Sequence, residues 1–255
     1  MIRVQNLVKR YGDFTAVDGL SFEVEPGEVM GLVGPNGAGK TTTLRSVTGI
    51  IPFSAGSVEI AGHDLIDDPV EAKRQIAFVP DDPQFFEHLT VDEHLQFIAR
   101  LYNVEDAADR GSGLLARLEL TEKHENLPSE LSRGMRQKLA IACALLHRPR
   151  VLLFDEPLTG LDPAGMRRMK ATLRQEAEAG TAVILSSHLL HLVEELASTV
   201  LVMAEAKAVA AGTIEAIVAS RPELTGLNLE EVFLSLTGTG DDDVGEAAIP
   251  EEAPS

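Results

Sequence analysis

Residues 29–42 decide the fold, and they read Val-Met-Gly-Leu-Val-Gly-Pro-Asn-Gly-Ala-Gly-Lys-Thr-Thr. The apolar run Val29–Val33 predicts a strand, and the stretch from Thr41 to about Thr48, which Gly49 ends, predicts a helix. Between them, residues 34–41 match the pattern G-x-x-x-x-G-K-[ST], which is typical of a loop that wraps around a phosphate chain. A strand, this loop and a helix in that order predict a site for a nucleoside triphosphate.

The chemistry of the loop is specific for a phosphate chain. Gly34, Gly37 and Gly39 can adopt backbone angles that side chains forbid, so the loop can approach an anion closely. Its N–H groups and the positive end of the following helix favour negative charge. Lys40 suits the β- and γ-phosphates, and the hydroxyl of Thr41 suits Mg²⁺.

The composition restricts the classes of function. The chain has 255 residues, of which 44% are hydrophobic and 24% charged, as in an ordinary soluble protein of one or two domains. A net charge of −18 argues against nucleic acid as a partner and against electrostatic attachment to anionic lipid. The single cysteine, Cys143, allows no internal disulfide and predicts an intracellular protein. No apolar run approaches the ~18 residues of a membrane span, so at a membrane a partner would have to hold the chain.

The sequence contains two kinds of strand pattern, one near the N-terminus and one later in the chain. The first 25 residues alternate apolar and polar positions around the turn signal Gly12-Asp13, which predicts antiparallel sheet. Later apolar runs are continuous and predict central strands of a mostly parallel sheet: Val29–Val33, Ile76–Val79, Val151–Phe154 and Ala182–Leu185. A last pair, Thr199–Met203 and Lys207–Ala211, predicts a hairpin.

The segment from about residue 84 to 148 has no strand pattern and predicts helices. These are Val91–Tyr102, a helix around Gly113–Leu118, and Ser132–His147. The predicted fold is therefore α/β: a P-loop NTPase core with a mostly parallel central sheet, an N-terminal antiparallel β subdomain and an inserted α-helical subdomain. Residues 239–255 are acidic, with six acidic and no basic side chains, and predict a disordered tail after a short extension over 221–238.

Carboxylates follow one of the predicted core strands. Asp155 and Glu156 come directly after Val151–Phe154, and ligands of α/β sheets bind at such strand ends. Asp155 suits Mg²⁺, and Glu156 is a candidate general base for a water molecule. His188 follows the next core strand, Ala182–Leu185, and could approach the same phosphate if the two strands are neighbours.

The start of the third predicted helix of the insertion offers a further anion site. Residues 131–137 read Leu-Ser-Arg-Gly-Met-Arg-Gln, and Ser132 is a natural N-cap. Successive N–H groups at a helix start can bind an anion. Taken alone, however, this segment is better explained as a simple helix cap.

With these motifs in this order, the chain resembles the nucleotide-binding domain of the ATP-binding cassette (ABC) family over residues 2–220. Residues 34–42 resemble its Walker A loop, Asp155-Glu156 its Walker B end, residues 131–137 its signature and residues 159–162 its D-loop. His188 resembles its switch histidine, and Tyr11 the aromatic residue that stacks on adenine. The resemblance implies an ABC ATPase domain over residues 1–220, with ATP and Mg²⁺ as cofactors.

The resemblance also implies a mechanism and partners. Two copies would bind two ATP molecules between them, each held by the Walker A loop of one copy and the signature of the other. Asp162 would couple the two sites, and the helical insertion would contact a membrane permease. The residues implied to bind the nucleotide within one copy are Tyr11, Gly34, Asn36, Gly37, Gly39, Lys40, Thr41 and Thr42. Those implied to bind the nucleotide of the other copy are Ser132, Gly134 and Met135. Thr41, Asp155 and Asp81 are implied to bind the metal, and Glu156 and His188 to act in catalysis.

Two positions depart from the family pattern. Arg133 stands where the signature usually has Gly, and it must either point away from the phosphate or add to its binding. Asp81 stands where the loop after Pro80 usually offers Gln. A carboxylate there can still bind Mg²⁺ through water, but it adds negative charge near the triphosphate. We expect Asp81 to take the Mg²⁺-sensing role, with an exposed loop carboxylate as the alternative.

The expected function is that of the ATPase subunit of an exporter of the drug-resistance type, working as a homodimer with a separate permease. The segment 132–138 and the ending Leu229–Leu234 resemble that subgroup. The expected place is the cytoplasm, at the inner face of the cell membrane. The alternatives are a soluble ABC-type ATPase that acts on ribosomes or DNA, and a regulator that binds ATP without cleaving it.

Overall fold

Two sheets and the helices packed on them form the fold. The computed structural model describes residues 1–158, 161–221, 224 and 226–238. The strands are β1 (Ile2–Tyr11), β2 (Phe14–Val24), β3 (Val29–Val33), β4 (Ala55–Ile60), β5 (His63–Asp64), β6 (Ile76–Val79), β7 (Val151–Asp155), β8 (Ala182–Ser186), β9 (Thr199–Ala204) and β10 (Lys207–Gly212). The helices are α1 (Lys40–Val47), α2 (Pro69–Arg74), α3 (Val91–Tyr102), α4 (Ala107–Arg117), α5 (Arg133–Leu146), α6 (Pro163–Glu178), α7 (Leu190–Leu196), α8 (Ile214–Ala219) and α9 (Leu229–Thr237).

The topology of the sheets confirms the predicted fold class. The smaller sheet has the order β2-β1-β4-β5 and is antiparallel throughout. The larger sheet has the order β10-β9-β3-β8-β7-β6, with parallel pairs from β9 to β6 and the hairpin strand β10 antiparallel at one edge. Because parallel strands share one carboxyl edge, the ends of β3, β7 and β8 come together there.

The core strand β7 separates two apolar clusters, and this fixes where its acidic end points. Leu152 and Phe154 pack into a cluster with the inserted helices and α6. Val151 and Leu153 pack on the other side, in a cluster that includes side chains of α1 and of the antiparallel sheet. Since successive side chains of a strand alternate between faces, Asp155 follows Leu153 toward the side of α1.

The segment between β6 and β7 consists of α3, α4, α5 and two short 3₁₀ turns, Thr121–Lys123 and Pro128–Glu130. Helix α3 begins with a capping box, in which the Thr90 hydroxyl accepts from the N–H of Glu93 and the Glu93 carboxylate accepts from the N–H of Thr90. No strand lies between residues 84 and 148, all of which the structure describes. The division of the chain into residues 1–220 and 221–238 stays a prediction, and the acidic tail 239–255 lies outside the described residues.

No helix in the described ranges has both the length and the apolar character that crossing a membrane requires.

Candidate nucleotide site

The phosphate loop lies tightly against two strands, and only glycine fits at its contact points. A Cβ atom on Gly34 would lie 2.5 Å from the carbonyl oxygen of Met203 in β9. A Cβ atom on Gly39 would lie 2.3 Å from the carbonyl oxygen of Ala16 in β2, and Gly39 also has a φ of +102°. The loop therefore needs glycine for close approach and for its backbone angles, because a Cβ atom at Gly34 or Gly39 would collide with backbone.

Lys40 is the first residue of α1, and its side chain folds back over the loop. Its Nζ donates to the carbonyl oxygens of Gly34 at 2.6 Å and Pro35 at 3.1 Å. Burial lowers the pKa of Lys40, while the nearby carboxylates of Glu156 and Asp155 oppose that shift. The structure thus brings the predicted phosphate-binding ammonium and the two strand-end acids into one electrostatic environment.

Asp155 ends β7 and is only 5% exposed. It lies opposite Ser186 of β8 in the parallel register. Mg²⁺ prefers hard oxygen ligands and is usually held by one or two carboxylates together with substrate phosphates. The carboxylate of Asp155 and the hydroxyl of Thr41 are donors of this kind, so the residues present fit a Mg²⁺-bound triphosphate.

Glu156 and His188 are in direct contact. The Nδ1 atom of His188 lies 2.8 Å from Oε2 of Glu156, and the His188 N–H donates to the same oxygen at 3.3 Å. The contact forms because β7 and β8 are adjacent, and the Glu156 N–H donates to the carbonyl oxygen of Ser186 at 3.0 Å. The sequence suggested that both residues could approach one phosphate; the structure brings them together, 32 positions apart.

Glu156 has an unusual backbone conformation. Its φ is +52°, in the left-handed region that residues other than glycine rarely adopt. Such a conformation costs about 1–3 kcal/mol and persists where the surrounding structure imposes it, often at functional sites. Here it turns the chain sharply after the buried strand, and the Glu156 side chain stays only 19% exposed beside the half-exposed His188.

Ser132 caps α5, as the sequence predicts. Its Oγ accepts a hydrogen bond from the N–H of Met135 at 3.3 Å. Within the part of the chain that the structure describes, no hydrogen bond or ion pair joins Ser132, Gly134 or Met135 to the phosphate loop. Their expected contact with a nucleotide on a second copy stays a prediction.

Asp162 also has a structural role as a cap. Its Oδ1 accepts from the N–H of Gly165 at 2.8 Å and thereby starts α6. The predicted coupling role of Asp162 is untested by this contact. Thr159 and Gly160 of the expected D-loop lie outside the described residues.

Tyr11 lies at the end of β1 and is 50% exposed. The Nζ atom of Lys9 lies 4.6 Å from the centroid of its ring. Across the turn Tyr11 pairs with Phe14, which is 65% exposed and which sequence reasoning missed as a candidate for the base. The sequence feature that could have identified Phe14 is an aromatic residue directly after the Gly12-Asp13 turn, in β2, the strand that contacts the phosphate loop.

The two residues that depart from the family pattern contact each other. Nη2 of Arg133 donates to Oδ1 of Asp81 at 2.9 Å. Arg133 thus points toward the loop after β6, and its expected relation to the phosphate, pointing away or adding to binding, stays a prediction. Gln84, the nearest glutamine, instead donates to Oδ2 of Asp82 at 2.9 Å.

Comparison with known proteins agrees with this geometry. The sequence profile of the ABC transporter family matches residues 17–159. The chain is 34% identical over 215 residues to the linearmycin resistance ATP-binding protein LnrL of Bacillus subtilis, covering 84% of this chain and 69% of that protein. It is 37% identical over 234 residues to the Nod factor export ATP-binding protein I of Paraburkholderia xenovorans, covering 91% and 76%.

The fold is also that of solved ABC structures. The ATP-binding subunit of an ABC transporter superposes with a TM-score of 0.88 at 31% identity, covering 92% of this chain and 99% of that one. A nucleotide-free ATP-binding cassette superposes with a TM-score of 0.74 at 26% identity, covering 89% and 97%. The cradle of glycines, the paired Glu156 and His188, the family profile and these superpositions lead to one conclusion: the chain belongs to the ABC transporter family and is one of its ATP-binding proteins.

Proposed function

We propose that this chain hydrolyses ATP to drive export through a separate membrane permease. The observation that carries the proposal is the contact between Glu156 and His188, beside the ammonium of Lys40 and the carboxylate of Asp155. A protein that only binds ATP does not need an acid and a histidine joined at this position. The names of two relatives, a resistance protein and a Nod factor export protein, support the direction of transport.

The residues divide between nucleotide, metal and water. The loop residues Gly34, Asn36, Gly37, Gly39, Lys40, Thr41 and Thr42 bind the phosphates, and Tyr11 stacks on the base. Thr41 and Asp155 hold Mg²⁺, and Asp81 senses it through water. When bound, ATP would supply the phosphate bond that is cleaved, and Mg²⁺ would supply positive charge beside the phosphate oxygens.

Glu156 acts as the general base in this proposal. Its carboxylate orients a water molecule and accepts a proton from it, a contribution of typically about 10²–10⁴-fold in rate. His188 holds the acceptor oxygen by the 2.8 Å contact with Oε2 and reaches toward the terminal phosphate. The left-handed turn at Glu156 keeps the acid at the strand end, so little movement is needed for the step.

The second copy completes the site. Ser132, Gly134 and Met135 at the start of α5 bind the nucleotide held by the partner, and Asp162 couples the two sites. The exposed N–H groups and the positive end of the helix favour this contact with phosphate. The working unit is therefore a homodimer that closes on ATP and opens after hydrolysis.

The permease contacts a groove beside α3. A cavity of about 460 Å³ lies between α3, α5 and the end of α1. Phe86, Phe97 and Ile50 line it and are 56%, 42% and 57% exposed. Large exposed apolar side chains that cluster in this way mark interaction surfaces. The permease would cover them and hold the chain at the cytoplasmic face of the membrane.

The decisive experiment is the variant Glu156→Gln. Glutamine keeps the shape but cannot accept the proton, so ATP binding should persist while phosphate release falls by about 10²-fold or more. Glu178→Gln, on the exposed end of α6, is the matched control and should leave both unchanged. Phosphate release at the rate of the unchanged chain would remove Glu156 from the role of base.

A further inference from the structure

The contact between Asp81 and Arg133 joins two motifs that the sequence keeps 52 positions apart. Asp81 lies in the loop after β6, and Arg133 is the first residue of α5. Both side chains are about half exposed, Asp81 at 45% and Arg133 at 50%. One hydrogen bond joins them, from Nη2 of Arg133 to Oδ1 of Asp81. A second contact holds the same two segments, because Nε2 of Gln137 donates to the carbonyl oxygen of Pro80 at 3.3 Å.

The position of Asp81 gives its charge a consequence for the nucleotide. Strand β6 is parallel to β7, with Val79 opposite Phe154, so Asp81 follows the same sheet edge as Asp155 and Glu156. An additional carboxylate at this edge repels a triphosphate, and a cation beside it offsets that repulsion. Arg133 is the cation that the structure places there.

We propose that Arg133 is a positioning residue that fixes Asp81 and neutralises its charge, so that the two departures from the family pattern compensate each other in nucleotide binding. This inference rests on the proposed function, since it requires a triphosphate in the loop at residues 34–41. The contact uses Oδ1 of Asp81, and a carboxylate has a second oxygen that can serve a water molecule on Mg²⁺. Arg133 can thus orient the carboxylate of Asp81 while Oδ2 still accepts a hydrogen bond from water.

The test is a double-mutant cycle with Asp81→Asn, Arg133→Gln and the combination of both. The probe is a fluorescent ATP analogue, titrated into the full chain in Mg²⁺ and in EDTA. Arg133→Gln should weaken binding by about 3-fold or more, because Asp81 is then uncompensated. The loss should be larger in EDTA, where the phosphates carry more negative charge, and smaller at high salt. The double variant should return to within about 2-fold of the unchanged chain.

Two controls separate this role from a general effect on stability. Arg74 and Glu71 form a matched pair on α2, at 2.8 Å and with exposures of 52% and 40%, so Arg74→Gln should not change nucleotide binding. Arg133→Lys keeps the charge and should retain most of the affinity. Thermal unfolding of each variant checks that the chain is folded.

The outcomes distinguish the inference from the proposed function. Equal losses in Arg133→Gln and in the double variant, or no loss in either, overturn the compensation while leaving the proposed function intact. Failure of the unchanged chain to bind the analogue, or binding that Lys40→Ala does not weaken, overturns the proposed function and the inference with it.

Discussion

At the scale of residues, the proposed chemistry uses groups that are far apart in the chain and meet at one sheet edge. Glu156 contributes its carboxylate from the end of β7, and His188 reaches it from beyond β8. Lys40 comes from the start of α1, directly after the phosphate loop. Each of these side chains follows directly from a buried strand or a tight loop, so the position of each is set by rigid backbone.

Tyr11 is predicted to stack on the base of the nucleotide, and Phe14 offers a matched control in the same hairpin. Base stacking on an aromatic side chain contributes about 1–3 kcal/mol, so Tyr11→Ala should weaken ATP binding by about 5- to 150-fold. Phe14→Ala should have a smaller effect. Titration of a fluorescent ATP analogue measures both, and the reverse order of the two losses would assign the base to Phe14.

His147 should make the stability of the chain depend on pH. Its ring stacks on Tyr102 at 3.8 Å between centroids, and burial lowers the pKa of His147 to about 4. An unfolded histidine has a pKa of about 6.5, so between these values the unfolded chain binds a proton that the folded chain does not. Stability therefore falls as the pH drops from about 6.5 to about 4, by on the order of 1–2 kcal/mol at pH ~5.

The variant His147→Phe tests this directly, because it keeps the stacked ring and removes the titrating group. Its melting temperature should fall less than that of the unchanged chain between pH 7 and pH 5. His191→Gln, at an exposed position on α7, serves as the control. An unchanged pH dependence in His147→Phe would show that other groups cause it.

At the scale of elements, helix α5 combines a structural cap with a proposed binding role. Ser132 caps α5, and Thr90 caps α3 in the same group of inserted helices. The start of α5 carries no acidic residue in its first turn, whereas α3 carries Asp92 and Glu93 there. No carboxylate in the first turn of α5 therefore offsets the positive end of the helix, which suits the anion contact proposed for it.

The pair of variants Ser132→Ala and Thr90→Ala separates the two roles. Each should cost about 1 kcal/mol of stability through loss of a cap. Only Ser132→Ala should also lower the rate of ATP hydrolysis, because it removes a group proposed to contact the nucleotide of the second copy. Thermal unfolding and phosphate release measure the two effects, and equal rates in both variants would reduce Ser132 to a cap.

The sequence predicts the elements whose signal is local. Strands β7 and β8 are continuous apolar runs and are buried at every position, so their pattern is unambiguous. Strand β4 was missed because it begins with Ala-Gly-Ser and depends on pairing with β1, where Ile2 lies opposite Ile60. Helix α6 was also missed, since its charged surface hides the few buried positions that mark its inner face.

In the candidate site, too, the sequence predicts local motifs but not the contacts between distant residues. Its motifs are readable, because the loop, the strand-end acids and the helix cap are each encoded within a few residues. The contact of Arg133 with Asp81 is not readable, since no local pattern links positions 52 apart. The two side chains meet through the packing of α5 beside the loop after β6, and that packing depends on the whole fold.

At the scale of the whole molecule, charge opposes the proposed dimer. Each chain carries a net charge of −18, so two copies repel one another over long range. Six of the acidic residues lie in 239–255, outside the described residues. ATP adds further negative charge, which the Mg²⁺, lysine and helix start must offset locally.

Dimer formation should therefore strengthen with ionic strength. For Glu156→Gln in the presence of ATP and Mg²⁺, the dimer fraction at fixed protein concentration should rise as salt increases from ~0.05 M to ~0.3 M, because screening weakens the repulsion. Removal of residues 239–255 deletes six negative charges and should reduce this dependence. Light scattering after size exclusion measures it; dissociation with added salt would show that attractive charges across the interface dominate.

Because side chains alternate between the two faces of β7, the length of this strand decides which face Asp155 reaches. Val151 and Leu153 face α1, and Asp155 continues on their side. One extra residue inserted between Val151 and Asp155 would reverse the face that each later side chain reaches. Such a chain would keep both acids in its sequence, but the aspartate would face the inserted helices and the glutamate the side of α1. The proposed ATPase site therefore depends on the number of residues between Val151 and Asp155 as well as on which residues they are.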